Sequence, residues 1–125
     1  MPRSEREWLQ DILDAANEVQ SYDAAVDFET FVAESMRRNA TLQQLTVIGE
    51  AAAQLPPEVR DRHAEIEWTS IIGFRNVIVH GYFRMTWPIV WETATTDMPA
   101  LIEQISALLA DESSPPADGP STPET

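Results

Sequence analysis

The segment "RNVIVHGYF", residues 75–83, places polar side chains at both ends of a short apolar stretch. Asn76 and His80 are four residues apart, so they would share one face of a helix. Arg75 and Tyr82 are seven apart and would share the adjacent face if the helix continued that far. The spacing therefore predicts that four polar groups gather near the end of one otherwise apolar helix.

These residue types suit RNA cleavage without a metal ion. A histidine, whose ordinary pKa lies near neutrality, can take or give the proton of a ribose 2′-OH that attacks the adjacent phosphate. An arginine can hold that phosphate and stabilise the charge growing on its oxygens. One such pair per chain is a sparse site, so this interpretation requires a symmetric dimer that brings two motif helices together.

The same spacing also fits a purely structural interpretation. Arg75 and His80 would then contact helix-end carbonyls and acids, and Tyr82 would pack with its hydroxyl at the surface. Both interpretations stay open on spacing alone.

Other chemistries find no support in the sequence. The four glycines form neither a G-x-G nor a GK[ST] pattern, which excludes a P-loop and a dinucleotide-binding fingerprint. His63 and His80 are the only histidines, and neither has metal-binding spacing. No serine lies in a G-x-S-x-G setting. We therefore expect no metal and no cofactor.

Composition indicates one small globular domain. The chain has 125 residues, of which 43% are hydrophobic, and no apolar run is long enough for a membrane helix. It contains no cysteine, so disulfides are excluded and a cytoplasmic location is the default. We expect a helical domain over 1–112 and a disordered, acidic, Pro/Ser-rich tail over 113–125.

The charge is strongly acidic, with a net value of −13. The last fifteen residues hold four acids and no base, which leaves −9 on residues 1–110. Such a surface argues against broad, charge-driven binding of nucleic acid. All eight cations are arginines, and Arg37, Arg38 and Arg84 are either RNA contacts or solvated surface charges.

Apolar residues recur at helical spacing almost throughout. Ser4 and Glu7 form a capping-box pattern, and Asp97 resembles an N-cap with Pro99 in the first turn of the helix that follows. The pattern predicts an all-α, antiparallel bundle of four to five helices. A polar connection over 56–67, which could hold one helical turn, and a loop over 82–97, which could hold a short turn around Val90 and Trp91, join these helices. The expected helices cover about 4–20, 27–38, 41–55, 68–80 and 97–110.

The fourth of these helices is apolar on most sides, which is typical of a helix buried between neighbours or at a subunit interface. We expect Met36 to lie on the apolar face of the second helix and His63 to be exposed in the polar connection. Asp23 could approach the cleft, although nothing in the sequence demands it.

Several segments resemble HepT-like toxins, a branch of the HEPN ribonuclease superfamily. "RNVIVHGY" matches that family's R-x-x-x-x-H-x-Y signature. "LQQLTVIGEAAAQLP", "EIEWTSIIGFRNVIVHGYF" and "VWETATTDMPALIEQI" are similar to its third, signature and closing helices. The resemblance spans about residues 4–110.

The resemblance implies a bundle that dimerises through its motif-bearing helices, with Arg75 and His80 as catalytic residues acting on tRNA or mRNA. It also implies a toxin neutralised by a minimal nucleotidyltransferase antitoxin, which transfers AMP to Tyr82. Asn76 could orient His80 or cap the structure. Glu50 could be a cleft acid or an ion-pair partner of Arg75.

Two other functions remain as hypotheses. The chain could be a non-catalytic helper subunit of a nucleotidyltransferase complex, because its acidic surface suits a protein partner better than RNA. It could also be a purely structural dimeric bundle, although burying Arg75 and His80 in so apolar a helix would then be costly.

Overall fold

The computed structural model describes residues 3–79 and 87–113, except for the side chains of 74–79 and 112–113. These residues form helices and no strand, which confirms the predicted all-α bundle. The helices are α1 (Glu5–Asp23), α2 (Phe28–Ala33), α3 (Ser35–Gln54), α4 (Pro57–Arg62), α5 (Trp68–Val79), α6 (Trp87–Glu92) and α7 (Met98–Ser113), with a π-helical segment (Thr93–Asp97) between α6 and α7.

The start of α1 follows the capping pattern in the sequence. The Ser4 hydroxyl accepts the Glu7 N–H at 3.1 Å, and the Glu7 carboxylate accepts the Ser4 N–H at 2.8 Å. Both donors would otherwise lack an intrahelical partner. The predicted capping box is confirmed.

The boundary between the second and third helices was predicted wrongly. Asp27 caps α2 by accepting the Thr30 N–H at 2.8 Å, but α2 ends at Ala33. Glu34 is extended, with φ −100° and ψ 95°, and α3 then runs through residues 39 and 40 without a break. The expected break there has no physical basis, because neither an asparagine nor an alanine inside a helix stops it.

The shifted boundary changes which residues reach the core. Phe31 on α2 is fully buried, whereas Met36 is 85% exposed on the first turn of α3. The prediction that Met36 belongs to an apolar face was therefore wrong. It rested on a helical phase that does not continue across Glu34.

The polar connection after α3 contains the short helix α4. Pro57 occupies its first turn, where a missing N–H costs nothing, and Val59 anchors it in the core. The Trp68 indole N–H donates to the His63 carbonyl at 3.0 Å, which fixes the start of α5. His63 is half-buried here, so its prediction as an exposed residue was wrong.

The helical run from α6 to α7 replaces the predicted loop over 82–97 within the described residues. Asp97 lies inside the π-helical segment and is not an N-cap. The Met98 N–H donates five residues back, to the Thr93 carbonyl. In a regular α-helix the ring of Pro99 would press on the carbonyl four residues earlier, so we attribute the widened turn to this proline.

The long helices alternate in direction. Asp23 at the end of α1 contacts Thr41 near the start of α3, and Arg62 after α3 returns to Glu5 at the start of α1. Accordingly α1 and α3 are antiparallel. Both α3 and α7 pack on α1, and α5 packs on α3.

The direction of α5 follows from its neighbours. It begins beside α4, at the end of the bundle that holds the start of α1. The chain is next described at Trp87, beside Arg38 near the start of α3. Hence α5 runs antiparallel to α3. We call one end of the bundle the motif end. It is formed by the end of α1, by α2, by the start of α3, by the end of α5 and by the start of α6.

Candidate functional site

The motif residues belong to the last turns of α5 and the segment that follows it. Arg75 and Asn76 lie on α5, as the spacing predicted. His80 comes directly after Val79, the last residue of α5, and His80 and Tyr82 both lie outside the described residues. The helix that carries the motif is thus confirmed up to Val79, while the roles of the four side chains stay predictions.

The helix α3 packs against α5, which carries the start of the motif, and α3 is itself anchored in the core. Its Leu45, Ile48 and Ala52 are buried in the core. Glu50 is exposed on the same helix, between buried neighbours. This exposure is compatible with either role predicted for Glu50, in the cleft or in an ion pair.

Asp23 is a buried acid at the motif end. Its side chain is 1% exposed, and one carboxylate oxygen accepts the Thr41 hydroxyl at 2.7 Å. The other oxygen has no hydrogen-bond partner. Burial raises the pKa of Asp23, and the Thr41 hydrogen bond and the charge of Arg37 partly offset that effect. Asp23 therefore joins α1 to α3 inside the bundle instead of lining an open cleft.

Aromatic rings hold α6 against α2 at the same end. Phe31 lies 6.1 Å from Trp87 and 5.1 Å from Trp91 between ring centroids, and Phe28 lies 6.1 Å from Trp91. These separations are typical of favourable edge and tilted contacts. The cluster fixes the position of α6 against α2.

Two adjacent arginines at the motif end have different surroundings. Arg37 pairs with Glu34 at 2.7 Å. Arg38 instead lies over the ring of Trp87, with its guanidinium carbon 4.7 Å from the ring centroid. Among the described residues no carboxylate pairs with Arg38, and its Nε is buried without a hydrogen-bond partner. The motif end thus holds one arginine whose charge is not neutralised by a described acid.

A groove of about 540 Å³ opens beside Arg37. It lies between the end of α1 and the start of α3, and Tyr22, Met36 and Arg37 line it. Its lining combines an aromatic ring, an exposed thioether and the ion pair between Arg37 and Glu34. The groove adds accessible apolar surface to the motif end.

A second cavity lies away from the motif end and has acids in its lining. This cavity of about 410 Å³ between α5 and α7 is lined by Glu67, Asp97 and several apolar side chains. Desolvation raises the pKa of Asp97, and the neighbouring charges of Glu92 and Glu67 add to the rise. No group of three or more potential metal ligands occurs in the part of the chain that the structure describes.

Sequence reasoning missed the contact between Arg38 and Trp87. The two residues are far apart along the chain and belong to different helices, so no local spacing could have indicated it. The missing signal is a tertiary one, the packing of α6 against the start of α3.

No described helix is both long enough and apolar enough to cross a membrane.

Comparison with known proteins identifies the family. The family model described as "Ribonuclease HepT-like" matches residues 12–108. A predicted RNase of Caldanaerobacter subterraneus subsp. tengcongensis is 32% identical over 110 residues, which cover 88% of this chain and 98% of that protein. A predicted ribonuclease HepT of Thermococcus cleftensis is 30% identical, over 81% of this chain and 92% of that protein.

A predicted RNase of Methanocaldococcus jannaschii is 28% identical, over 82% of this chain and 94% of that protein. No solved structure matches the chain. The matched region contains α3, α5 and the whole "RNVIVHGY" motif. The chain is therefore a ribonuclease that belongs to the HepT-like family of the HEPN superfamily.

Proposed function

We propose that the chain is the toxin of a toxin–antitoxin pair and cleaves RNA without a metal ion, with Arg75 and His80 as its catalytic residues. The observation that carries this proposal is the intact R-x-x-x-x-H-x-Y motif on α5 and just beyond it, inside a region that matches the HepT-like ribonuclease family. The substrate is a tRNA or an mRNA.

The proposed chemistry is internal transfer of a phosphodiester. The ribose 2′-oxygen attacks the adjacent phosphorus and loses its proton to a histidine acting as general base. The bond to the 5′-oxygen breaks, and that oxygen takes up a proton as it leaves. Arg75 binds the non-bridging oxygens, whose negative charge grows in the transition state. The products are a 2′,3′-cyclic phosphate and a 5′-hydroxyl.

Two protons must be moved on opposite sides of the phosphate, which favours a site built from two chains. A homodimer formed through α5 would bring two copies of Arg75 and His80 into one cleft. The composition of α5 supports this arrangement, because the helix is apolar on most sides and packs on α3 within its own chain. Ile71 and Ile72 are only half-buried in the single chain.

Regulation is proposed at Tyr82. A minimal nucleotidyltransferase antitoxin would transfer AMP from ATP to the phenolic oxygen and release pyrophosphate. A bulky anion beside the cleft would repel RNA phosphates and obstruct access. Tyr82 is then an acceptor of modification and takes no part in catalysis.

The test is cleavage of purified tRNA and mRNA in the presence of EDTA, with intact mass confirming that Tyr82 is unmodified. We expect the unmodified protein to cleave and His80→Ala to lose cleavage while keeping its helical circular dichroism. A folded His80→Ala variant that cleaves as fast as the parent protein would refute the catalytic assignment.

A second function has one observation in its favour. The net charge of −13 suits a protein partner better than RNA, as expected for a helper subunit of a nucleotidyltransferase complex. Under this alternative the unmodified protein binds the nucleotidyltransferase tightly and does not cleave RNA. The EDTA experiment therefore separates the two functions directly.

A further inference from the structure

We propose that Arg38, held on the ring of Trp87, binds a backbone phosphate of the RNA substrate beside the motif end. This inference rests on the proposed ribonuclease function and adds a substrate-binding residue outside the motif. Arg38 would contact the strand next to the scissile phosphate and would not take part in proton transfer.

The first argument is position. Arg38 belongs to the start of α3, and α5 runs antiparallel to α3, so Arg38 and the last turn of α5 lie at the same end of the bundle. A strand with its scissile phosphate at the motif passes over this end. Of the other arginines whose side chains the structure describes, only Arg37 shares this end.

The second argument is charge. Arg3, Arg37 and Arg62 each pair with a carboxylate, at 2.7 to 3.1 Å, and Arg6 donates to the Leu109 carbonyl. Arg38 has no such partner among the described residues, although acids outnumber arginines by 21 to 8. Because no described carboxylate neutralises Arg38, its positive charge is available to an anionic ligand.

The third argument is preorganisation. The stacking distance of 4.7 Å between Arg38 and Trp87 restrains a side chain that is otherwise rich in rotamers. Restraint before binding reduces the entropy lost when the guanidinium engages a phosphate.

The chain offers a matched control at the other end of the bundle. Arg60 on α4 is also partly buried, also has an Nε without a hydrogen-bond partner, and also lacks a carboxylate at ion-pair distance among the described residues. Its helix lies beside the start of α5, away from the motif end. Arg60→Gln therefore removes the same charge without touching the proposed contact.

The experiment measures binding of a fluorescein-labelled single-stranded RNA of mixed sequence, about 20 nucleotides long, which exceeds the site size of one small domain. Binding is measured by anisotropy at several salt concentrations in the His80→Ala background, where the RNA stays intact. Cleavage kinetics of the same substitutions are measured in the parent protein.

We expect Arg38→Gln to raise Kd and KM about tenfold with little change in kcat, as for one lost charge-assisted contact. The slope of log affinity against log salt should fall by about 0.7, the value of one phosphate contact on a single strand. Arg38→Lys should keep most of that slope, and Arg60→Gln should change neither quantity. A purely structural role for Arg38 would not alter the salt slope.

The outcomes separate the two proposals. If the parent protein cleaves RNA and Arg38→Gln matches Arg60→Gln in affinity and slope, the role of Arg38 is refuted and the ribonuclease stands. If the parent protein neither binds nor cleaves RNA, both proposals fail together. A melting curve shows whether Arg38→Gln is folded. If it is misfolded, Arg38→Lys tests the proposal in its place. This variant keeps the positive charge, so a reduced salt slope in Arg38→Lys would refute phosphate binding.

Discussion

Asp23 shows how a single residue can set a pH dependence that composition does not reveal. Its carboxylate is buried with one hydrogen bond, from Thr41, and its pKa is raised above the ordinary value of 3.8. The folded state therefore binds this proton more tightly than the unfolded chain does. The stabilising contribution of protonation is fully present below the unfolded pKa and is lost as pH rises through the folded pKa.

The substitution Asp23→Asn tests this directly. Asparagine keeps an oxygen to accept the Thr41 hydroxyl and removes the charge whose burial is unfavourable. We expect a free energy of unfolding at pH 7 equal to that of the parent or higher by about 1 kcal/mol, and a smaller change in stability between acidic and neutral pH. Urea unfolding at several pH values measures both quantities.

Thr41→Val is the companion to that variant. It leaves the buried carboxylate without its hydrogen-bond donor, so we expect a loss of about 1–3 kcal/mol at pH 7. If Asp23→Asn were instead the more destabilising of the two, Asp23 would be ionised and favourably solvated in the fold. The raised pKa would then be wrong.

At the scale of elements, the aromatic contacts between α2 and α6 fix the motif end. Phe31 is fully buried against Trp87 and Trp91, whereas Phe28 is half-buried and has a ring contact with Trp91. Phe31→Ala should reduce the free energy of unfolding by about 3–5 kcal/mol, because it leaves a cavity in the core. Phe28→Ala should cost clearly less, and equal losses in urea unfolding would contradict this packing.

The sequence predicted helices well where local signals act and poorly where tertiary packing decides. The capping box at Ser4 and the apolar run of α5 are local patterns, and both predictions were confirmed. The break at Glu34 has no glycine or proline to mark it, and Pro99 suggested a helix start where the chain is continuous. A proline inside a helix is visible in sequence, but the π turn that accommodates it is not.

The candidate site could also be predicted only in part, because some of its features depend on local patterns and others on tertiary packing. The spacing of Arg75 and Asn76 placed them on a helix that the structure contains, and the motif indicated its family. The stacking of Arg38 on Trp87 depends on where α6 packs, which no short pattern encodes. Residues that reach a site from elements distant in the sequence can be found only once the three-dimensional structure is known.

At the scale of the whole molecule, the proposed chemistry requires two chains. We expect light scattering of the purified protein to give twice the chain mass of 14.0 kDa under the conditions in which it cleaves RNA. A polar substitution at the half-buried Ile72, such as Ile72→Glu, should weaken both the dimer and cleavage. An active protein that remains a monomer at the assay concentration would contradict a site shared between subunits.

The π-helical segment between α6 and α7 changes the direction in which the side chains of α6 face, relative to those of α7, about the common helix axis. An extra residue in one turn rotates everything before it by roughly 100° relative to everything after it. This offset lets Trp87 and Trp91 face α2 while Leu101 and Ile105 face the core from the other half of the run. Deleting one residue from Thr93–Asp97 would therefore swing Trp87 away from Arg38 without changing a single residue at the motif end.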